Sequence, residues 1–410
     1  MQKEKELIPQ LYRTEFRKLV SVLSRSFGLE HIELAEDIVS EAFLTAAETW
    51  GIKGIPNNPV AWLYTVAKNT AKDQLKRHNL FEGKITTYLQ QDHNTAYETE
   101  IDLSTQNIRD SQLQMMFAIC HPVIPPEAQI GLSLRILCGF SIDEIADAFL
   151  TNKENINKRL FRARQKLKEA RIAIEVPPVT EIDKRIETVL TTVYLLFNEG
   201  YYSQSHNAIL RRDLCLEAMR LNYLLLENPA TNTPAVNALM ALMCFHSSRF
   251  DSRLDEHGEV VLYDDQDSSL WNQELIAKGN YYLNMAARGD TLSTYHLEAG
   301  IAYWHTNRSA EKWQHILQLY NKLLQLRYSP IAALNRTYAL YKVYGKAAAI
   351  AEAEKLKLDN SHLYHCLLGN LYTDEDNQKA IEHYNTAIKL TKSSVDKKAI
   401  RKQMIKIGTL

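Results

Sequence analysis

The chain has 410 residues, 45% of them hydrophobic and 24% charged, with a formal net charge of −1. These proportions exclude a disordered or fibrous chain, and the length exceeds one typical domain of about 100–200 residues, so two or three globular units are expected. Only 14 Gly and 11 Pro interrupt stretches rich in Ala, Leu, Glu, Lys and Gln, so the expected fold class is all-α.

No run of about 18 apolar residues occurs, and the N-terminal stretch MQKEKELIPQ lacks the apolar centre of a signal peptide, so a cytoplasmic protein with no membrane partner is expected. The five cysteines stand singly with no Cys-x-x-Cys pair, which fits reduced thiols without disulfides or structural zinc. His362, His365 and Cys366 have a spacing able to ligate a metal on one helix face, but helix packing accounts for it as well. No metal or cofactor is expected. Phosphate loops, nucleophile elbows and dinucleotide glycine motifs are absent, which argues against an enzyme.

In chain order, residues 1–81 read as one helical unit: an amphipathic stretch from Leu7 to Phe27, an acidic one from Leu34 to Trp50, and a third from Asn58 to Arg77. The turn-rich GIKGIPNN (51–58) separates the last two. Residues 82–112 turn polar and aperiodic and are expected to be a linker.

Residues 113–175 form a second small helical unit ending in a helix-turn-helix pattern. Ser141 is placed as N-cap with Glu144 as its capping-box partner, a helix runs from Ile142 to Phe149, and a turn spans Leu150 to Asn152. A basic helix follows from Lys153 to about Ala173, with Ile156, Leu160, Ala163 and Leu167 forming its inward stripe. Between Lys153 and Arg171 there are eight basic residues and two acidic ones, the local charge excess a phosphate-binding surface needs. Such a helix can enter the DNA major groove, with Asn155, Lys158 and Arg159 placed to reach base edges. Arg162, Arg164 and Lys166 are placed for contact with phosphate or with polymerase.

VPPVTE (176–181) breaks the helix and opens a third unit, expected over 180–410, in which helix follows helix. Gly300, Asn335 and Gly369, and likewise Tyr303, Tyr338 and Tyr372, recur at intervals of 35 and 34 residues, close to the period of tetratricopeptide repeats. An insertion from Phe250 to Ser269 interrupts any earlier period. Its acidic end carries Asp264, Asp265 and Asp267, with Trp271 just beyond. Loops that depart from a repeat often carry function, which makes these four a candidate regulatory loop. The equal alternative is a loop ending in an N-cap at Ser268 or Ser269.

Three segments together resemble a known family. SIDEIADAFLTNKENINKRLFRARQKLKE resembles region 4 of sigma factors, AEDIVSEAFLTAAETW (35–50) resembles region 2.2, and NNPVAWLYTVAKNTAKDQLKRH (57–78) resembles regions 2.3 and 2.4. Their order, with a linker where region 3 would be, is that of the extracytoplasmic-function sigma factors. FNEGY (197–201), RRDLCLEAMRL (211–221) and RLDEHGEVVLYDDQDSSLWN (253–272) resemble the subgroup whose C-terminal extension carries tetratricopeptide-like repeats.

The resemblance implies a subunit that binds core RNA polymerase, at the beta-prime clamp and the beta flap, and promoter DNA. Asp37 and Glu41 match acidic positions that meet the clamp. Asn57 and Asn58, in the loop 54–58, match the family's specificity loop for a flipped base, and Asn69, Asp73, Lys76 and Arg77 share one helix suited to DNA contact. Trp62 matches a position that packs within the domain, although Trp62 and Tyr64 also offer a stacking surface. The extension is expected to regulate, through an intramolecular contact with the sigma domains. The rival reading is a helix-turn-helix regulator that binds DNA without polymerase, which leaves residues 1–80 without a purpose.

Overall fold

A computed structural model describes residues 2–86, 101–149, 151–201, 211–253, 255, 261, 263–391 and 393–408. They are helical, with no strand among the described residues, and form two compact units, Met1–Leu195 and Leu196–Leu410.

The first unit begins with α1 (Gln2–Phe27), α2 (Ile32–Lys53) and α3 (Pro59–Thr86). Their apolar residues recur at helical spacing and meet in one core: Phe16, Leu19, Val20 and Leu23 from α1, Ile38, Val39 and Ala42 from α2, and Leu63, Ala67 and Ala71 from α3. α2 stops at Gly54, which takes φ +83° while its N–H bonds the Trp50 carbonyl, a conformation natural to glycine. Asn58 then caps α3 by accepting a hydrogen bond from the Ala61 N–H at 3.0 Å.

α4 (Thr105–Ile119), α5 (Pro126–Leu132), α6 (Ile142–Ala148) and α7 (Lys153–Glu169) follow, with a π-helical turn at Ser133–Leu137 after α5. The Ser141–Glu144 capping box forms as the sequence predicts: the Ser141 N–H donates to Glu144 Oε2 at 2.8 Å, and the Glu144 N–H to Ser141 Oγ at 3.2 Å. α7 ends earlier than expected, where Arg171 adopts φ +51°. Leu150 of the turn lies outside the described residues.

The expected linker over 82–112 differs from the structure at both ends. α3 continues to Thr86, and α4 starts at Thr105 behind the N-cap Ser104. Ile108, Ser111 and Gln112 are buried, because the polar first turn of α4 still presents an inward face. Residues 87–100 of that stretch lie outside the described ones.

The two expected helical units pack together within the first unit, α1 lying on both α2 and α4. Arg25 donates to Asn107 Oδ1 at 2.7 Å, and Arg13 pairs with Glu144 at 2.8 Å. The central contact is Glu36, only 6% exposed. One carboxylate oxygen accepts from Arg135 Nε at 2.8 Å and the other from Arg164 Nη2 at 2.6 Å. Removing one member of so buried a network typically costs about 3–5 kcal/mol, because the remaining charges lose their partner.

α8 (Val179–Tyr201) crosses the division between the units. Its first part belongs to the first unit, where Arg185 donates to the Phe117 carbonyl at 2.6 Å and Thr192 donates to Gln129 at 3.0 Å. The boundary expected near residue 180 therefore falls at Leu195–Leu196: the prolines of VPPVTE end the preceding segment without ending the packing.

The second unit continues with α9 (Arg212–Glu227), α10 (Pro234–Ser247) and α11 (Gln273–Ala286). α10 is buried almost all round, as its apolar sequence requires. Three helix pairs follow: α12 (Thr294–Thr306) with α13 (Lys312–Leu326), α14 (Pro330–Tyr344) with α15 (Lys346–Leu356), and α16 (His362–Tyr372) with α17 (Asn377–Leu390). α18 (Ser394–Gly408) packs on α17. The pairs share one apolar cluster containing Leu297, Ile316, Leu340, Leu368, Tyr384 and Ile400.

Candidate nucleic-acid interface

α7 is built to show a charged face. Asn152 caps it, accepting from the Asn155 N–H at 2.8 Å, and Ile156, Leu160, Ala163 and Leu167 anchor its inner stripe. Lys158, Arg162 and Lys166 point outward, with no ion-pair partner among the described residues. Asn155 is exposed, and its amide donates to Thr151 Oγ1 at 3.1 Å. Arg159 is half-buried, its guanidinium 5.2 Å from the Phe149 ring centre, so it braces the helix-turn-helix as well as flanking the outer face.

Arg164 departs from its expected place on the phosphate-facing side. It is 19% exposed and forks across Glu33 at 3.2 Å and Glu36 at 2.6 Å on α2, so in this arrangement it serves a protein contact. The apolar stripe at 156, 160, 163 and 167 turns position 164 toward α2, a neighbour that spacing alone does not reveal. Sequence reasoning also passed over Phe161. It is 62% exposed on the outer face, between Lys158, Arg162 and Gln165 in helical spacing, and an apolar residue breaking a run of cations was the available signal.

On α2, Asp37 and Glu41 lie one turn apart, both exposed and with carboxylates unpaired among the described residues. On α3, Asn69 and Asp73 are exposed on one face, while the side chains of Lys76 and Arg77 lie outside those described. Asn57 is exposed, but Asn58 spends its side-chain oxygen on the cap of α3. Trp62 packs edge-on against Trp50 at 5.4 Å. Tyr64 donates its hydroxyl to Glu15 at 2.6 Å, and burial followed by this bond raises its pKa well above the usual phenol range. Neither ring lies free on the surface.

The candidate regulatory loop is bound into the second unit. Asp264 accepts from Tyr338 Oη and Lys342 Nζ, both at 3.0 Å. Trp271 donates its indole N–H to Ser252 at 3.0 Å, and Asp267 caps a short turn by accepting from the Ser269 N–H at 2.8 Å. Asp265 remains exposed. Asn272, rather than Ser268 or Ser269, caps the following α11, accepting from the Leu275 N–H at 3.0 Å. FNEGY supplies Phe197 and Tyr201, which stack at 5.7 Å beneath the Arg253 guanidinium, itself 3.9 Å from the Tyr201 ring centre. His362, His365 and Cys366 do not converge: His365 faces His383 at 3.0 Å, His362 faces Asp396 at 3.6 Å, and Cys366 packs on the apolar cluster.

Comparison with known proteins places these surfaces. Residues 11–80 match Sigma-70 region 2 and residues 120–167 match Sigma-70 region 4, so α2 and α3 fall in the first and α6 and α7 in the second. Both regions, in that order, support a sigma factor of the extracytoplasmic-function type. A relative from Rhizobium meliloti (strain 1021), Uncharacterized protein R00370, is 34% identical over 365 residues, covering 86% of each chain. Residues 185–287 match a family of unknown function, DUF6596. No solved structure matches the chain. Among the described residues no helix is long and apolar enough to cross a membrane.

Proposed function

We propose that the chain binds core RNA polymerase through the acidic face of α2, reads promoter DNA with α3 and α7, and is regulated by its C-terminal helical unit. The observation that carries this reading is the pairing, within one chain, of two surfaces of opposite charge on matched sigma-70 regions. Asp37 and Glu41 stand exposed on α2, and Lys158, Arg162 and Lys166 stand exposed on α7. Carboxylates on one helix face suit charge-assisted bonds to Arg or Lys of a clamp, and a cationic helix suits phosphate while its side chains probe base edges. The three helix pairs α12–α17 support the tetratricopeptide-like reading of the extension, since stacked pairs of this kind present one extended surface for a peptide or helix.

Run-off transcription with purified core polymerase on DNA from upstream of its own coding region tests the proposal. The expected result is a defined transcript that requires both the chain and the core enzyme. Tight binding to that duplex by the chain alone, with no transcript, would establish the polymerase-independent regulator instead.

A further inference from the structure

The acidic face of α2 is already partly occupied by the chain itself. Glu33, Asp37 and Glu41 follow one another at single-turn intervals along the helix, with Glu36 beside them. Asp37 and Glu41 have no cationic partner among the described residues, whereas Arg164 lays its fork across Glu33 and Glu36 at the N-terminal end of the same stripe. Glu36 is held from its other side by Arg135, whose guanidinium also donates to the Phe140 carbonyl at 3.2 Å and lies 5.4 Å from the Phe16 ring centre. Arg164 sits on the helix whose Lys158, Arg162 and Lys166 have no ion-pair partner among the described residues, while Lys153 pairs with Asp143 at 3.1 Å.

We propose that the Arg164 fork on Glu33 and Glu36 is an autoinhibitory clasp, in which the recognition helix stands in for the basic partner of α2 and competes with it. This rests on the preceding reading that α2 meets a basic surface of core polymerase. A basic surface that docks on Asp37 and Glu41 and continues along the stripe meets Glu33 and Glu36, which Arg164 already uses, so the two contacts exclude each other there. Docking then releases Arg164, and the positive face of α7 gains a member only when polymerase is bound. By linkage, whatever the clasp subtracts from polymerase affinity, polymerase subtracts from the clasp.

The test uses the full chain with Ile52 and Lys168, both exposed, replaced by cysteine for paired spin labels, and Cys366 replaced by serine; the other four native cysteines are buried. The free chain is expected to give one short distance, and saturating core polymerase a longer one. Arg164→Gln should shift part of the free population to the longer distance and raise the affinity for core polymerase by about fivefold or more. Arg164→Lys, which keeps the charge and loses the fork, should fall between. A short distance that persists in a demonstrated complex overturns the clasp, as do unchanged distance and affinity in a folded Arg164→Gln chain. Should Arg164→Gln fail to fold, Glu33→Gln removes only the outer arm; it must move both readouts in the same direction by less, and no movement counts against the clasp. Absence of any polymerase binding would refute the sigma-factor reading, and the free-chain distances would then judge the clasp alone.

Discussion

Asp264 accepts a hydrogen bond from the Lys342 ammonium at 3.0 Å, tying the short helical turn Tyr263–Asp265 to α14 of the second helix pair. Burial raises the carboxyl pKa, but the bonds from Lys342 and Tyr338 outweigh it and hold the group below its ordinary range. A folded-state pKa below the unfolded value contributes stability that is present above the unfolded pKa, near 3.8, and is lost as the pH falls through the folded one. Asp264→Asn should therefore lower stability at neutral pH by about 0.5–1 kcal/mol, a partly exposed pair being screened, with the difference from the parent vanishing in strong acid. Thermal melts across the acid range check this. Adding Trp271→Ala should lower the melting temperature further; a normal melt with lost transcription would instead give the loop a direct functional role.

Gly369 and Tyr384 explain why one position between α16 and α17 must stay small. A Cβ built on Gly369 would stand 2.8 Å from the Tyr384 ring, between the helices of the α16–α17 pair. Gly369→Ala should cost about 1–3 kcal/mol by forcing the pair apart. Asn335, at the equivalent spacing, is exposed, and Asn335→Ala should change stability by less than about 0.5 kcal/mol. Denaturant unfolding of the two variants compares the sites directly.

Asp37→Lys with Glu41→Lys should abolish assembly with core polymerase and leave folding intact, because both side chains face solvent and neither carries a structural bond. Gel filtration with core enzyme and circular dichroism are the paired measurements. Retained assembly would remove α2 from the polymerase contact.

On α7, Lys158→Ala and Arg162→Ala should each lower the salt dependence of DNA binding by the holoenzyme by about one unit of slope if they meet phosphate, and weaken all sequences alike. Phe161→Ala should instead act at particular base pairs if the outer face enters the groove, where an apolar side chain suits a thymine methyl. Binding measured against a panel of upstream-element variants separates the two patterns.

Much of this was legible in the sequence because helix signals are local. The capping box at Ser141 and Glu144, the buried stripe of Ile156, Leu160, Ala163 and Leu167, and the exposure of Asp37 and Glu41 follow from spacing along single helices. What spacing cannot give is a neighbour distant in sequence. Arg164 looks like any other cation of a basic helix until Glu33 and Glu36, 131 and 128 residues away, are seen beside it. Asp264 looks like part of an exposed acidic loop until Lys342 is placed against it, 78 residues on. The polar opening of α4 read as linker because Ile108 supplies its only large apolar side chain before Leu113.

α8 determines where the chain can be divided. A cut after Glu175, at the proline-marked boundary, would remove Arg185 and Thr192 and so uncap the Phe117 carbonyl and the buried amide of Gln129 inside the first unit. A truncated protein of that length that failed in transcription would report damage to its own core, not the loss of a regulator. Ending the chain after Tyr201 keeps the whole helix, and only the contrast between these two lengths separates scaffolding by α8 from regulation by everything beyond it.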